Sequence, residues 1–163
     1  MIESPVTQLL NSNNIPYDVV EIPLSEDKKP IRNLEELLQS QGRDPSSVVR
    51  SILFKTKSGD FVLLAVAGSG RADWAVLRKH LGERKLRMAE FDEVEESTSY
   101  IVGAVPPIAL PDAIRVLVDE SVTQFDDVII GSGVLGYALS LSNTDLLSLL
   151  TRADKGLFVK LES

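Results

Sequence analysis

Two long apolar segments in the middle of the chain constrain its fold more than any other feature. Residues 48–56 read VVRSILFKT and residues 61–68 read FVLLAVAG, with the turn sequence KSGD between them. Near-continuous apolar runs of this kind are typical of strands that are covered on both faces. The pair therefore predicts a hairpin at the centre of a buried sheet.

Helical and extended patterns alternate on both sides of this hairpin. Apolar spacing and capping residues predict a short helix after Ser4 and further helices at 34–41, 74–81, 90–96 and 143–151. Alternating or short apolar runs predict strands at 17–22, 114–120, 127–130 and 137–142, and an edge strand at 157–160. Because helices and strands interleave without a linker or repeat, we expect one α/β domain over residues 1–163.

Composition limits the chemistry that is available to this domain. The chain has no cysteine and one histidine, His80, so disulfides, thiolate nucleophiles and cysteine-ligated zinc are excluded, and no metal or other cofactor is expected. The net charge of −7 argues against binding duplex DNA. No apolar stretch is long enough to cross a bilayer and no signal peptide is visible, which predicts a cytoplasmic protein without a membrane partner.

The sequence GSGVLG at residues 131–136 has the glycine spacing of a dinucleotide-binding loop. That motif requires a helix at its third glycine, but the following YALSLS alternates with the period of a strand. Two readings remain. The glycines form a tight turn between two strands, or they bring bare N–H groups close to a ligand, as in an oxyanion hole.

The order and spacing of these segments resemble the YbaK/EbsC family, the prolyl-tRNA-synthetase-associated or INS-like aminoacyl-tRNA editing domain. The resemblance spans roughly residues 2–152. Its carriers are the strand VVRSILFKT, the strand exit and helix at 68–82, the stretch at 84–107, VLVDES at 116–121, and the GSG to LSLSNTDLLSL ending at 131–149.

This resemblance implies an α/β domain built around a mixed, barrel-like sheet, and an aminoacyl-tRNA deacylase activity. Such enzymes hydrolyse the ester of a mischarged tRNA, because a synthetase pocket gains only about 1–3 kcal/mol from a methylene and cannot reject every small amino acid. The implied partners are the 3′ aminoacyl end of a mischarged tRNA and an aminoacyl-tRNA synthetase. In the family, hydrolysis depends on backbone donors near the glycines, an ordered water and the terminal ribose hydroxyl.

The chain departs from the family pattern at two positions. The family's hallmark lysine on the first central strand is replaced by Arg50, and Ala138 stands where several members carry aspartate. Arginine stays charged and presents a flat fork of donors, so it can grip a substrate but is a poor proton carrier. These changes keep an alternative open, namely a non-catalytic relative that binds an aminoacyl-tRNA end or a synthetase. Arg50 could also pair with a carboxylate at the sheet edge.

The resemblance places the candidate site on the central strand and the glycine segments. The candidate catalytic residues are Arg50 and Gly103, and the candidate substrate-binding residues are Gly131, Ser132, Gly133 and Ala138.

Two further features have competing interpretations. The basic residues in RKH and ERKLR, at 78–80 and 83–87, could contact tRNA phosphates or could simply be solvated. Asp119 could cap the segment that follows it or line the pocket, and capping is the favoured interpretation.

Overall fold

The computed structural model describes residues 2–22, 34–68 and 70–160. Within these ranges the helices are α1 Pro5–Ser12, α2 Leu34–Ser40, α3 Trp74–Leu81, α4 Phe91–Thr98 and α5 Asn143–Leu149. The strands are β1 Asp18–Glu21, β2 Val49–Thr56, β3 Phe61–Ala67, β4 Leu86–Met88, β5 Arg115–Asp119, β6 Asp127–Gly131, β7 Tyr137–Ser142 and β8 Asp154–Gly156. None of the helices described here has the length and apolar character needed to span a membrane.

The strands form two sheets. The larger has the order β4-β2-β3-β5-β8, in which β2 pairs antiparallel with β3 and β4, while β5 runs parallel to both β3 and β8. The smaller is antiparallel, with the order β1-β7-β6. Among the residues that the structure describes, an isolated parallel bridge between Val48 and Ile129 connects them. The mixed α/β fold is thus confirmed, although the strands form two sheets rather than one closed barrel.

The predicted central hairpin is confirmed, and its burial explains its composition. Strands β2 and β3 are the second and third of the five strands, so each is paired on both edges. One face of β3 contributes Leu63 and Ala65 to the largest apolar cluster, and the other contributes Leu64 to a cluster with Leu77 of α3. Because both faces are covered, the segment needs no polar alternation.

Two segments differ from their predicted structure. The edge strand predicted at 157–160 is wrong: β8 lies earlier, at Asp154–Gly156, and Val159 makes only an isolated bridge to Ala72. The physical reason is that Phe158 turns inward, is 2% exposed, and donates its backbone N–H to Asp119 Oδ1. The second segment is β4, which the basic stretch at 84–88 did not predict and which depends on pairing with β2.

Candidate active site

A cleft of about 350 Å³ opens between the two sheets. Its walls come from β2, β6 and β7, from α4, and from the irregular segment at 102–105. Most of the described lining is aliphatic, with Ile52, Leu53 and Val94 as examples. Four of the predicted site residues line this cleft, namely Arg50, Gly103, Gly131 and Ala138, whereas Ser132 and Gly133 lie outside its lining.

Arg50 is held at the cleft by backbone carbonyl groups. Its Nε–H donates to Gly68 O at 2.7 Å, and Nη2 donates to Gly70 O. Among the described residues no carboxylate lies within ion-pair distance of Arg50. Partial burial lowers the pKa of the guanidinium, but arginine remains cationic at physiological pH. Within the described residues, two of the five N–H donors of the guanidinium make hydrogen bonds, so the group retains donors for a ligand.

The GSGVLG segment connects two antiparallel strands, β6 and β7, so the tight-turn interpretation is confirmed. The chain continues from Gly136 as a strand, not as the helix that a dinucleotide-binding loop requires. Gly131 is needed for close backbone packing, because a Cβ there would lie 2.5 Å from Val105 O and 2.9 Å from Ala104 O. The start of the turn therefore packs closely against the backbone of the segment that contains Gly103.

Ser132 and Gly133 hold the turn in shape. The Ser132 side chain lies 2.7 Å from Tyr137 O and accepts the Val134 N–H at 3.0 Å, and the residue is fully buried. The Gly133 N–H donates to Ala104 O at 2.9 Å. These groups are thus already engaged within the protein, and their substrate-binding role stays a prediction.

Gly103 presents its backbone to the cleft. Its φ of +101° is a conformation that glycine adopts readily and other residues avoid. Within the described residues its N–H has no hydrogen-bond acceptor, although the next N–H, that of Ala104, donates to Ile101 O. Gly103 lines the cleft, and a backbone N–H without an internal acceptor is available to a ligand oxygen.

Ser51 is a lining residue that the sequence interpretation did not single out. Its Oγ is buried and has no hydrogen-bond partner within the described part of the chain. A buried hydroxyl without a partner costs free energy, so a bound ligand that supplies one gains affinity. The available signal was a serine directly after Arg50 in an otherwise apolar strand.

An ion-pair cluster fixes α4 against the larger sheet. Glu93 Oε2 accepts from Lys55 Nζ of β2 at 3.0 Å, and Glu93 Oε1 accepts from Arg87 Nη1 of β4 at 2.6 Å. The Arg87 hydrogen bonds, followed by the Glu90 backbone N–H and Lys55, hold the pKa of Glu93 far below its usual range. This cluster positions Phe91 and Val94, which line the cleft.

We expect Glu93→Gln to lower the thermal midpoint at pH 7, with a difference that shrinks as the pH falls below about 4. The folded-state pKa is depressed, so the carboxylate stabilises the fold above its unfolded pKa and loses this effect as the pH falls towards the folded value. Thermal unfolding monitored by circular dichroism between pH 3 and 7 measures this. Glu96→Gln, an exposed change on the same helix, serves as the control. Equal shifts for both variants would contradict the assignment.

The remaining candidates lie outside the cleft. Asp119 accepts the Ser121 N–H at 2.9 Å, which confirms capping. His80 Nε2 lies 3.1 Å from Asp154 Oδ2, and its ring packs edge-on against Phe158. In the described ranges no group of three or more His, Cys, Asp or Glu side chains is placed to hold a metal ion.

The fold and cleft define a class: a mixed α/β protein with a largely aliphatic cleft whose lining residues include Arg50, Ser51 and Gly103. The sequence model of the protein family described as "Aminoacyl-tRNA editing domain" matches residues 28–149 of this chain. The chain belongs to the aminoacyl-tRNA editing domain family, and the resemblance to YbaK/EbsC proteins is confirmed.

Several relatives show how this chain relates to longer and shorter members. It is 23% identical over 142 residues to the "Putative Cys-tRNA(Pro)/Cys-tRNA(Cys) deacylase EbsC" of Enterococcus faecalis, covering 87% of this chain and 85% of that one. It is 30% identical over 112 residues to a proline–tRNA ligase of Thermotoga maritima, covering 68% of this chain. The match spans only 19% of that ligase, and the first such ligases are all matched over about a fifth of their length.

A solved structure supports the fold. The crystal structure of "a putative trans-editing enzyme for prolyl tRNA synthetase" superposes with a TM-score of 0.77 at 23% identity, covering 99% of this chain and all of that one. At this identity the likeness shows a shared fold.

Proposed function

We propose that this protein is an aminoacyl-tRNA deacylase that acts in trans and hydrolyses the ester of a mischarged tRNA. The observation that carries the proposal is that Arg50, Ser51 and Gly103 all line one cleft in a member of the editing family. The proposed partners are the 3′ aminoacyl end of the mischarged tRNA and the aminoacyl-tRNA synthetase that produces it.

The proposed reaction is an attack of water on the ester carbonyl carbon. A new C–O bond to the water oxygen forms, the carbonyl oxygen becomes an oxyanion, and the bond to the ribose oxygen then breaks. One water proton goes to the departing ribose oxygen and the second goes to solvent, which leaves a free amino acid and an uncharged tRNA. We assign the proton transfer to the terminal ribose hydroxyl and water, as the family resemblance implies.

The protein's role in this reaction is positioning and charge stabilisation. The Gly103 N–H and the free donors of Arg50 are the groups we propose for the oxyanion or the terminal phosphate. Ser51 Oγ, which is buried without a partner among the described residues, is proposed to bind the substrate. Ala138 lines the cleft with no more than a methyl group, which we propose leaves room for the aminoacyl end, and Gly131 allows the 104–105 backbone to form the neighbouring wall.

The lining also favours a class of amino acid. Ile52, Leu53, Val94 and Ile130 present apolar surface. A charged amino acid side chain would lose its hydration there without gaining a charged partner. We therefore expect the preferred substrates to carry small, uncharged side chains.

The decisive experiment is a panel of tRNAs charged with small uncharged, large or charged amino acids. We expect amino acids of the small uncharged class to be released at rates well above spontaneous hydrolysis. The release of a radiolabelled amino acid from the tRNA measures these rates. If every tRNA keeps its amino acid although a catalytically active family member clears the panel, the deacylase proposal is wrong. Binding of a non-hydrolysable aminoacyl-adenosine analogue without turnover would then identify the non-catalytic alternative.

A further inference from the structure

A second hollow, of about 500 Å³, is strongly basic. Eight residues line it, and six of them are lysine or arginine: Lys55, Lys57, Arg78, Arg84, Lys85 and Arg87. This concentration stands out in a chain of net charge −7. We call this surface the basic groove.

Most of the charge in the basic groove is not neutralised within the described structure. Glu93 pairs with Lys55 and Arg87. The other four cations have no carboxylate within ion-pair distance among the residues that the structure describes. The nearest acid along the chain, Glu83, accepts from Ser58 Oγ at 3.1 Å. Cations that are clustered and unpaired repel one another, and an anionic ligand relieves that repulsion.

The basic groove and the cleft are built on the same two strands, although among the described residues they have no lining residue in common. Strand β2 contributes Ser51 to the cleft and Lys55 to the groove, a separation of four residues or about 13 Å at the usual strand rise. Strand β4 contributes Met88 to the cleft and Arg87 to the groove. The groove therefore lies beside the cleft, at a distance that a polymer with its end in the cleft can reach.

An exposed aromatic ring stands at the same rim. Phe91 lines the cleft yet is 74% exposed, and Met88 beside the groove is 56% exposed. Proteins that bind single-stranded nucleic acids combine exposed aromatic rings with cationic grooves. The bases stack on the rings, and the phosphates contact the cations. This feature favours RNA over an acidic protein as the occupant.

We propose that the basic groove binds the phosphate backbone of the tRNA acceptor end while its terminal aminoacyl nucleoside occupies the cleft. This inference rests on the proposed function for the identity of the RNA. Lys57, Arg78, Arg84 and Lys85 supply the phosphate contacts. The groove thus sets affinity for tRNA, and the cleft performs the hydrolysis.

The test compares Arg84→Gln/Lys85→Gln with Arg152→Gln/Lys155→Gln. All four side chains are exposed, so both variants should fold, and the control pair removes the same charge. Arg152 and Lys155 lie next to and on β8, at the sheet edge opposite β4. Three measurements are made on each protein: binding of uncharged tRNA as a function of salt, deacylation of a mischarged tRNA, and hydrolysis of an aminoacyl-adenosine ester.

We expect the groove variant to bind uncharged tRNA about tenfold more weakly, with a logarithmic salt slope reduced by roughly two. Its KM for mischarged tRNA should rise by a similar factor, whereas hydrolysis of aminoacyl-adenosine and every property of the control pair should be unchanged. If the groove variant binds tRNA like the control, the inference is overturned. If the unaltered protein hydrolyses neither substrate, the deacylase proposal fails, and the binding measurement still decides the groove.

Discussion

Replacing Arg50 by alanine should reduce deacylation of a mischarged tRNA by about 10²–10³-fold, the usual cost of removing one oxyanion donor. Arg50 is a lining residue of the cleft, its guanidinium is anchored to Gly68 O and Gly70 O, and it keeps further donors that we propose for the substrate. Arg50→Lys should preserve or raise turnover, because a lysine retains the cation and is the family's usual residue. Single-turnover kinetics at saturating enzyme measures the effect on the chemical step.

A purely structural role for Arg50 would change the stability of the protein as well as its turnover. If the role is structural, the alanine variant loses activity because the two hydrogen bonds that hold Gly68 O and Gly70 O are removed. Thermal unfolding and binding of uncharged tRNA separate the two roles, and Arg71→Ala, an exposed neighbour, is the control. A folded Arg50→Ala protein with an unchanged rate would remove Arg50 from the mechanism.

Gly131→Ala should lower the free energy of unfolding by about 3 kcal/mol or more, the upper part of the range for overpacked sites. The added methyl would lie 2.5 Å from Val105 O and 2.9 Å from Ala104 O, and backbone atoms cannot rotate away as side chains do. The segment at 103–105 must therefore move, which displaces Gly103 and Val105, two lining residues of the cleft. Turnover should fall together with stability.

Chemical denaturation measures the loss at Gly131. Gly42→Ala is the matched control, since a Cβ there meets nothing within 4 Å and only the φ of +73° is strained. That control should cost about 1–2 kcal/mol, the usual cost of a left-handed backbone for a residue with a Cβ. If both variants lose the same amount, the contact between β6 and the 104–105 backbone does not explain the glycine.

The sequence predicted the elements whose signals are local. The apolar runs of β2 and β3, the Asp73 cap of α3 and the strand alternation of YALSLS each lie within a few residues, and all three predictions are confirmed. Strand β4 was missed because it is three residues long and exists through its pairing with β2. The edge strand was misplaced because Phe158 is drawn inward by Asp119, which lies 39 residues away.

The site was predicted in the same uneven way. The resemblance pointed to Arg50, Gly103, Gly131 and Ala138, and all four line one cleft. Ser51 and Phe91 were not singled out, because a serine in a strand and a phenylalanine at a helix start are common in any sequence. What distinguishes them is a hydroxyl without a partner in the described structure and a ring left 74% exposed at the rim.

By itself, the sequence determined the class of fold, the family and the central strand on which the candidate site is built. These properties follow from periodicity and motif order, which are local. The tertiary structure alone decided that Glu93 ties α4 to two strands, that Gly131 packs against a backbone about 26 residues earlier, and that β2 and β4 place the basic groove beside the cleft. Those contacts join residues that are distant in the chain, and no local pattern encodes which distant partner a residue will meet.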